Sequence, residues 1–179
     1  MESNWQPVLE NDFIRLQPLL ETDFENLYLV ASDPLIWEQH PNKNRYQREV
    51  FKTYFEGAIE SKGALLIIEK ASKEIVGCSR FYEFNPVHKS ILIGYTFIAR
   101  KFWGKKYNPA IKDLMLNYAF EFCNTVLFHV GANNIRSQIA IGRLGAIKTR
   151  ELPVAYHGES TVMNYEYCLN RNAWQQKLA

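Results

Sequence analysis

A strand–helix–strand unit in residues 91–130 constrains the fold more than any other part of this chain. An apolar run over residues 90–98 is followed by a basic turn, a helical pattern over residues 109–122, and a β-branched and aromatic run over residues 125–130. Two neighbouring strands of one sheet that are joined through a helix lie parallel. The sequence therefore predicts one parallel strand pair covered by a helix.

The helix of this unit carries the clearest local signals. Asn108 is a good N-cap residue, and Pro109 suits the first helical position because an N–H there would be unpaired. Apolar side chains then recur at the i, i+3, i+4, i+7 spacing of a buried face, which predicts a helix over residues 109–122. These side chains are Ile111, Leu114, Met115, Tyr118, Ala119 and Phe122.

The remaining patterns predict an α+β fold with a mixed, mostly antiparallel sheet flanked by helices. A short strand, two helices and a hairpin precede the parallel unit. A short helix that is stopped by Gly145 and a closing antiparallel pair follow it. The predicted strands cover residues 13–16, 64–69, 75–84, 152–156 and 161–169. One predicted helix begins at residue 22, and two further helices cover residues 46–61 and 134–144.

Length and composition indicate one ordered domain, residues 1–179. The chain is 47% hydrophobic, and a net charge of only +2 argues against nucleic-acid binding. Cys78, Cys123 and Cys168 form no CxxC pair, so neither a metal site nor a disulfide framework is expected. Residues 1–7 lack the pattern of a secretory leader, and no apolar run is long enough for a membrane helix. We therefore expect a soluble, cytoplasmic protein that is a monomer or a homodimer.

The basic turn before the helix has the chemistry of a phosphate-binding site. Helix N-termini present unpaired N–H groups and a partial positive charge. Gly104 allows the backbone to come close to a ligand, and Lys105 and Lys106 add point charges. Lys101 can add another charge, and Arg100 can bind a phosphate through two N–H groups. A solvated cationic loop before an ordinary helix explains the same residues, so the turn alone leaves both interpretations open.

A second motif follows the last strand of the unit. It reads Asn134-x-x-Ser137-Gln138-x-Ala140-Ile141-x-Arg143-Leu144-Gly145-Ala146. An Asn at a helix start can cap the helix while facing a ligand, and a Ser one turn later projects from the same end. Together with the turn at Trp103-Gly104-Lys105 and the order of elements, this motif resembles the GCN5-related N-acetyltransferases (GNAT superfamily). The resemblance is strongest to the bacterial Rim-type group, which acetylates the N-termini of ribosomal proteins.

The resemblance implies an acyl-CoA N-acyltransferase fold with acetyl-CoA as cosubstrate. In that fold two parallel strands separate and the pantetheine arm pairs with the freed backbone, so we expect Gly94 to mark the bulge that opens the gap. The turn departs from the family pattern, because Trp103 replaces Gln or Arg, Lys106 replaces Gly, and Asn108 replaces Gly or Ala. The implied cofactor-binding residues are Phe97, Ile98, Gly104, Lys105, Lys106, Tyr107, Asn108, Asn134 and Ser137.

The catalytic residues are less well defined than the cofactor site. Many relatives carry a Glu two residues before the Gly-Tyr pair of the first parallel strand, and Leu92 stands there in this chain. We take Glu83 as the candidate base and Ser137 as the acid for the departing thiolate. His88 and Glu159 are further candidate bases. His129 in an apolar strand fits a satisfied core histidine better, and the default role of Tyr95, Tyr107 and Tyr156 is packing.

The implied activity is direct transfer of an acetyl group from acetyl-CoA to a primary amine in a ternary complex. The acceptor is either a protein N-terminus or a small-molecule amine, and the sequence does not choose between them. Two other functions remain open. One is a non-catalytic acyl-CoA-binding module of the same fold, and the other is an RNA- or ribosome-associated protein that uses the patch at residues 100–106.

Overall fold

The structure of the protein is a computed structural model that describes residues 4–178. Residues 1–3, which belong to the segment where no secretory leader is expected, and residue 179 lie outside the described part. The strands are β1 (Leu9–Glu10), β2 (Ile14–Pro18), β3 (Ala64–Glu69), β4 (Ile75–Asn85), β5 (Ser90–Ile98), β6 (Thr125–Gly131), β7 (Ile147–Val154) and β8 (Val162–Asn170). The helices are α1 (Phe24–Ala31), α2 (Arg48–Glu60), α3 (Tyr107–Phe122), α4 (Ile135–Gly142) and α5 (Arg171–Leu178).

The described strands form one sheet in the order β1-β2-β3-β4-β5-β6-β8-β7. Neighbouring strands are antiparallel except β5 and β6, which are parallel and joined through α3. The predicted crossover and the mixed, mostly antiparallel sheet are therefore confirmed. None of the helices within residues 4–178 combines the length and apolar character that crossing a membrane requires.

The central strands of the sheet are buried on both faces. In β3, Leu65 and Ile67 belong to the apolar cluster that includes α3, whereas Ala64 and Leu66 belong to the cluster that includes α1 and α2. This alternation follows from the two-residue period of a strand, and it explains why the whole run is apolar. Trp174 of α5, at 2% exposure, joins the α3 cluster.

Two predicted starts need correction: β7 begins at Ile147 rather than at residue 152, and α3 begins before residue 109. The helix begins at Tyr107 with Lys106 as the N-cap, so Asn108 is its second residue and Pro109 its third. Pro109 is still tolerated because the third N–H of a helix has no carbonyl partner within the helix. Helix α4 ends at Gly142, before Gly145, and the two-residue β1 and helix α5 were not predicted.

The bulge in β5 lies one residue beyond its predicted place. Arg80 pairs with Gly94 and Cys78 with Phe97, so Tyr95 and Thr96 share the place opposite a single residue of β4. Tyr95 carries the left-handed backbone, with φ 53°, although it is not a glycine. The lack of a side chain at Gly94 instead makes room for Tyr82, whose Cε1 would lie 3.0 Å from a Cβ there.

Candidate active site

The two parallel strands separate after a short contact. Residues Ser90, Ile91 and Leu92 of β5 pair with Thr125, Val126 and Leu127 of β6. Beyond these pairs β5 continues to Ile98 and β6 to Gly131, and within the described residues no strand pairs with the β6-facing edge of β5 there. An extended ligand with amide groups can pair with such an edge as an added strand would. Leu92, which stands where many proteins of the resembled family carry a Glu, is the last residue before the gap.

The N-terminus of α3 lies in the turn that follows β5. No side chain caps this helix, and the first backbone bond inside it runs from the Ala110 N–H to the Lys106 carbonyl at 3.1 Å. The N–H groups of Tyr107 and Asn108 belong to the first turn, where helical N–H groups have no helical acceptor. The turn therefore presents backbone donors and the positive end of a helix dipole, as a phosphate site requires.

The glycine of the turn is required by its backbone angles. Gly104 has φ 69°, a left-handed conformation, while no atom lies within 4 Å of where its Cβ would be. Lys105 is exposed and takes part in none of the ion pairs of residues 4–178. The Lys106 Nζ lies 4.3 Å from the centre of the Phe13 ring. Charge and open space thus meet at Gly104 and Lys105.

The other basic side chains of the turn contact acidic partners in the protein. Arg100 pairs with Asp33, and Lys101 pairs with Glu74 and holds the pKa of that carboxyl below its usual value. Tyr107 donates its hydroxyl to Glu69 at 3.0 Å, so its side chain is directed to β3. Tyr107 can therefore contribute to a ligand site only through its backbone.

The N-terminus of α4 faces the gap from the other strand. Asn134 is the N-cap, and its Oδ1 accepts the Ser137 N–H at 3.1 Å, which confirms the predicted cap. The half-buried Ser137 hydroxyl has no hydrogen-bond partner among the described residues, and the Asn134 amide nitrogen has none either. Both groups are therefore available to a ligand.

Arg136 links the two sides of the gap, a contact that the sequence did not reveal. Its guanidinium lies 4.0 Å from the centre of the Trp103 ring and donates to the Ile36 carbonyl at 3.1 Å. Trp103 in turn donates its indole N–H to the Ile98 carbonyl at 2.8 Å. The end of β5, the basic turn and the start of α4 are thus held together by side chains.

Beyond the bulge, a cavity of about 330 Å³ opens on the α2 face of the sheet. Glu83, the candidate base, is exposed there and has a left-handed backbone with φ 52°. The cavity brings Glu83 together with Tyr95 of the bulge and with a second carboxylate, Glu60. It is lined by Gly57, Glu60, Ser61, Arg80, Tyr82, Glu83, Tyr95 and His157.

A buried ion pair closes the neighbouring region. Arg45, only 1% exposed, donates from Nε to Glu159 Oε1 at 2.7 Å. Its guanidinium lies 5.0–5.9 Å from the centres of four aromatic rings, those of Trp37, Tyr54, Tyr95 and Tyr156. Glu159 is therefore engaged by a buried cation, a placement that differs from that of a free base.

His40 completes this ion-pair region as a neutral ring. Arg45 Nη1 lies 3.1 Å from His40 Nε2, and His40 Nδ1 lies 3.2 Å from the Asn42 carbonyl. Nε2 accepts from the arginine, which requires a neutral ring, and the Asn42 N–H also approaches Nδ1, at 3.0 Å. Burial, with the Arg45 charge second, holds the pKa of His40 well below its usual value.

The other candidate bases lie away from the gap or are engaged. His88 is exposed in the β4–β5 hairpin turn, at the opposite end of β5 from Phe97. His129 Nε2 contacts Glu166 Oε2 at 3.3 Å, as expected for a satisfied histidine, and Glu166 also binds Arg150. Tyr156 donates its hydroxyl to Asn164 at 2.7 Å.

Two buried basic side chains flank the bulge and were missed by the sequence analysis. Arg80, 3% exposed, donates to the Gly57 and Tyr54 carbonyls, and its Nε has no partner within the described chain. Lys112 of α3, also 3% exposed, contacts Ser79 and Thr96, and burial lowers its pKa to about 7. Lys112 lies one turn before the buried Leu116, a spacing that could have indicated its burial.

Separating parallel strands between two helix N-termini, one of them suited to phosphate, are the arrangement of an acyl-CoA N-acyltransferase fold. The family profile described as "Acetyltransferase (GNAT) domain" matches residues 14–147, more than half of the chain. The chain therefore belongs to the GNAT acetyltransferase family. Members of that family use acetyl-CoA as acyl donor, and this chain is an acetyl-CoA-dependent acetyltransferase.

Solved structures support the same fold. A GCN5-related N-acetyltransferase from Brucella melitensis is similar with a TM-score of 0.81 and 17% identity, over 95% of this chain and 81% of that one. RimJ from Mycobacterium smegmatis, in complex with CoA-disulfide, has a TM-score of 0.73 and 15% identity, over 99% of this chain and 96% of that one. Spermidine N-acetyltransferase from Vibrio cholerae, in complex with CoA and spermine, has a TM-score of 0.69 and 15% identity, over 92% of this chain and 99% of that one. At these identities the likeness is one of fold.

Proposed function

We propose that this chain transfers the acetyl group of acetyl-CoA directly to a primary amine in a ternary complex. The observation that carries this proposal is the separation of β5 from β6 after Leu92, with the N-termini of α3 and α4 beside the gap. The acceptor is a protein N-terminus, as for the Rim-type group, or a small-molecule amine. Both acceptors present the same nucleophile, a neutral amine nitrogen.

This arrangement supports the assignment of the cofactor-binding residues. The pyrophosphate end is bound by the first-turn N–H groups of α3 at Tyr107 and Asn108, with the charges of Lys105 and Lys106 nearby. Gly104 leaves open space for it. The backbone of Phe97 and Ile98, next to the bulge, faces the pantetheine arm. Asn134 and Ser137 contact the same arm from α4, because their free amide and hydroxyl lie at its N-terminus.

Acetyl-CoA supplies a thioester carbonyl, so that a C–N bond to the acceptor forms while the C–S bond breaks and its electron pair leaves on sulfur. Glu83 takes the proton that the acceptor nitrogen must lose. The Ser137 hydroxyl donates a proton to the departing sulfur and recovers it from solvent. An exposed carboxylate is a weak base, which favours an α-amino group with a pKa near 8 over a lysine side chain near 10.4.

The cavity next to the bulge is suited to the acceptor. Its two carboxylates, Glu60 and Glu83, can attract a cationic amine, and the Tyr82 and Tyr95 rings provide an apolar wall. A second, open groove of about 760 Å³ is lined by Glu159 and by residues of α2 and of the segment before it. Its size accommodates the body of a larger acceptor, such as the residues after a protein N-terminus.

The proposal is tested by measuring thiol release from acetyl-CoA with three classes of amine: peptides with a free N-terminus, polyamines and amino-sugars. We expect acetylated product with one class, and Glu83→Gln should lower kcat/KM by roughly 100-fold, within the range of general-base catalysis. Glu56→Gln, on the exposed side of α2, is the matched control and should retain activity. If acetyl-CoA raises the thermal midpoint but no amine releases thiol, the chain is a binding module and the proposal is wrong.

A further inference from the structure

Lys112 is buried beneath the sheet without an acidic partner. Its Nζ lies 2.6 Å from Thr96 Oγ1 and 3.4 Å from Ser79 Oγ, and these two hydroxyls lie 2.7 Å apart. No ion pair within residues 4–178 includes Lys112, and burial alone accounts for the lowered pKa of its amine. A buried amine with only hydroxyl partners is costly to the fold, so its place calls for a physical reason.

The reason lies in the residues that Lys112 contacts. Thr96 is the second residue of the β5 bulge, and Ser79 is the single β4 residue opposite it. Tyr95, the first bulge residue, holds a left-handed backbone that costs a side-chain-bearing residue about 1 kcal/mol or more. The bulge therefore persists only if neighbouring groups stabilise it.

The bulge is held from both faces of the sheet. On the α2 face, Tyr54 donates its hydroxyl to the Tyr95 carbonyl at 2.7 Å, and the Arg80 guanidinium lies 3.9 Å from the centre of the Tyr95 ring. On the α3 face, Lys112 binds the Thr96 hydroxyl. The α3 contact is the one that connects the bulge to the helix whose N-terminus forms the proposed phosphate site.

We propose that Lys112 is a positioning residue for acetyl transfer, which fixes the β5 bulge by donating to Thr96 and Ser79 from helix α3. The inference rests on the proposed function for its catalytic consequence, but its structural part does not. Lys112 acts through Thr96 on the backbone of Tyr95 and Phe97, next to which the acetyl group is proposed to lie. Removing the contact should loosen the bulge while leaving the N-terminus of α3 intact.

The structural part is tested by amide hydrogen exchange without any ligand. Lys112→Met keeps the length of the side chain and removes the donor, and Thr96→Val removes the acceptor. In both variants the amides of residues 95–97 should exchange about tenfold faster or more, while Thr96→Ser, which keeps a hydroxyl, should stay within about twofold of wild type. Lys52→Met, an exposed lysine of α2, is the control for loss of charge. If Lys112→Met does not fold, the comparison of Thr96→Val with Thr96→Ser decides.

The catalytic part is tested by separating binding from turnover. We expect Lys112→Met to lower kcat about tenfold or more while the acetyl-CoA dissociation constant changes about twofold or less. The double variant with Thr96→Val should be no worse than the poorer single variant, because both changes remove one contact. Unchanged exchange at residues 95–97 in both variants would overturn the inference. Altered exchange with unchanged kcat would overturn its catalytic part, whereas a wild-type protein without transferase activity would count against the proposed function instead.

Discussion

The cofactor side and the acceptor side of the candidate site are built in different ways. The cofactor side consists of a strand edge and two helix N-termini, and all of its groups come from residues 93–137. The acceptor side consists of side chains from segments far apart in the chain, and the ion pair in the region next to its cavity joins residues separated by 114 positions, Arg45 and Glu159. Backbone groups form most of the first side, together with the Asn134 and Ser137 side chains, whereas charged side chains and aromatic rings form the second.

Because of this difference, substitutions on one side should change mainly the free energy of binding, and substitutions on the other mainly the free energy of unfolding. Helix N-termini present their N–H groups whatever the exposed side chains are, so the cofactor side should tolerate substitution with little loss of stability. Removing one partner of a buried ion pair leaves an uncompensated buried charge, which destabilises the fold strongly. We therefore expect acceptor-side variants to lose stability and cofactor-side variants to lose binding.

The largest expected effect is on the acceptor side, from Arg45→Ala. The change leaves the Glu159 carboxylate with 10% side-chain exposure and without its cation, and it opens space among four rings. Unfolding in urea should show a loss of about 3–5 kcal/mol. Arg48→Ala, which breaks the exposed pair with Glu25, is the matched control and should have a much smaller effect. Equal losses in the two variants would contradict the contrast between the two sides.

The next effect is on the cofactor side, from Asn134→Ala combined with Ser137→Ala. We expect kcat/KM for acetyl-CoA to fall by roughly 100-fold, because an amide donor and the proposed acid are lost. Stability should fall by only about 1 kcal/mol, from the lost N-cap. Asn134→Asp keeps the capping oxygen but removes the amide donor, so it should restore stability without restoring cofactor affinity. Full activity in the double variant would show that α4 does not contact the cofactor.

A third prediction concerns Lys112, which lies between the two sides. Its folded pKa of about 7 is below the unfolded value near 10.4, so the unfolded chain binds more protons between these limits. The free energy of unfolding should therefore rise with pH from about 7 to about 10, by up to about 1.4 kcal/mol per unit. Urea unfolding at several pH values should show that Lys112→Met removes this rise. If the free energies of unfolding of wild type and variant differ by the same amount at every pH, the lowered pKa of Lys112 is contradicted.

The smallest expected effect is from Lys105→Ala at the edge of the proposed phosphate site. An exposed charge in water contributes little, so the acetyl-CoA dissociation constant should rise by about threefold, less at high salt. Titration calorimetry at two ionic strengths measures this change, with Lys52→Ala as the control. An effect as large as that of the α4 double variant would mean that side-chain charge, rather than backbone, dominates the cofactor side.

The sequence analysis succeeded where signals are local. The ranges 64–69 and 90–98 agree with β3 and β5, and the Asn134 cap was identified from its position before an apolar helix. The α+β fold with one parallel crossover follows from the same periodicities, because each pattern lies within one element and needs no distant partner.

The sequence analysis failed where contacts between distant segments determine which side chains are buried. The pattern in α3 placed Phe122 on the buried face, but Phe122 is 37% exposed and the polar Lys112 is buried instead. Arg45, Arg80 and Arg136 were missed because their partners lie in other segments, and residue type alone predicts a solvated charge. The start of α3 was misplaced because the turn around Gly104 lets the helix begin before its apparent cap.

The central claim is that acetyl-CoA binds in the gap between β5 and β6, along the N-termini of α3 and α4. Amide hydrogen exchange with and without saturating acetyl-CoA tests it most directly. The account predicts slower exchange at residues 93–98, 106–108 and 135–137, and little change in the loop at residues 155–161. Unchanged exchange at the gap, or protection confined to the acceptor-side cavity, would contradict it.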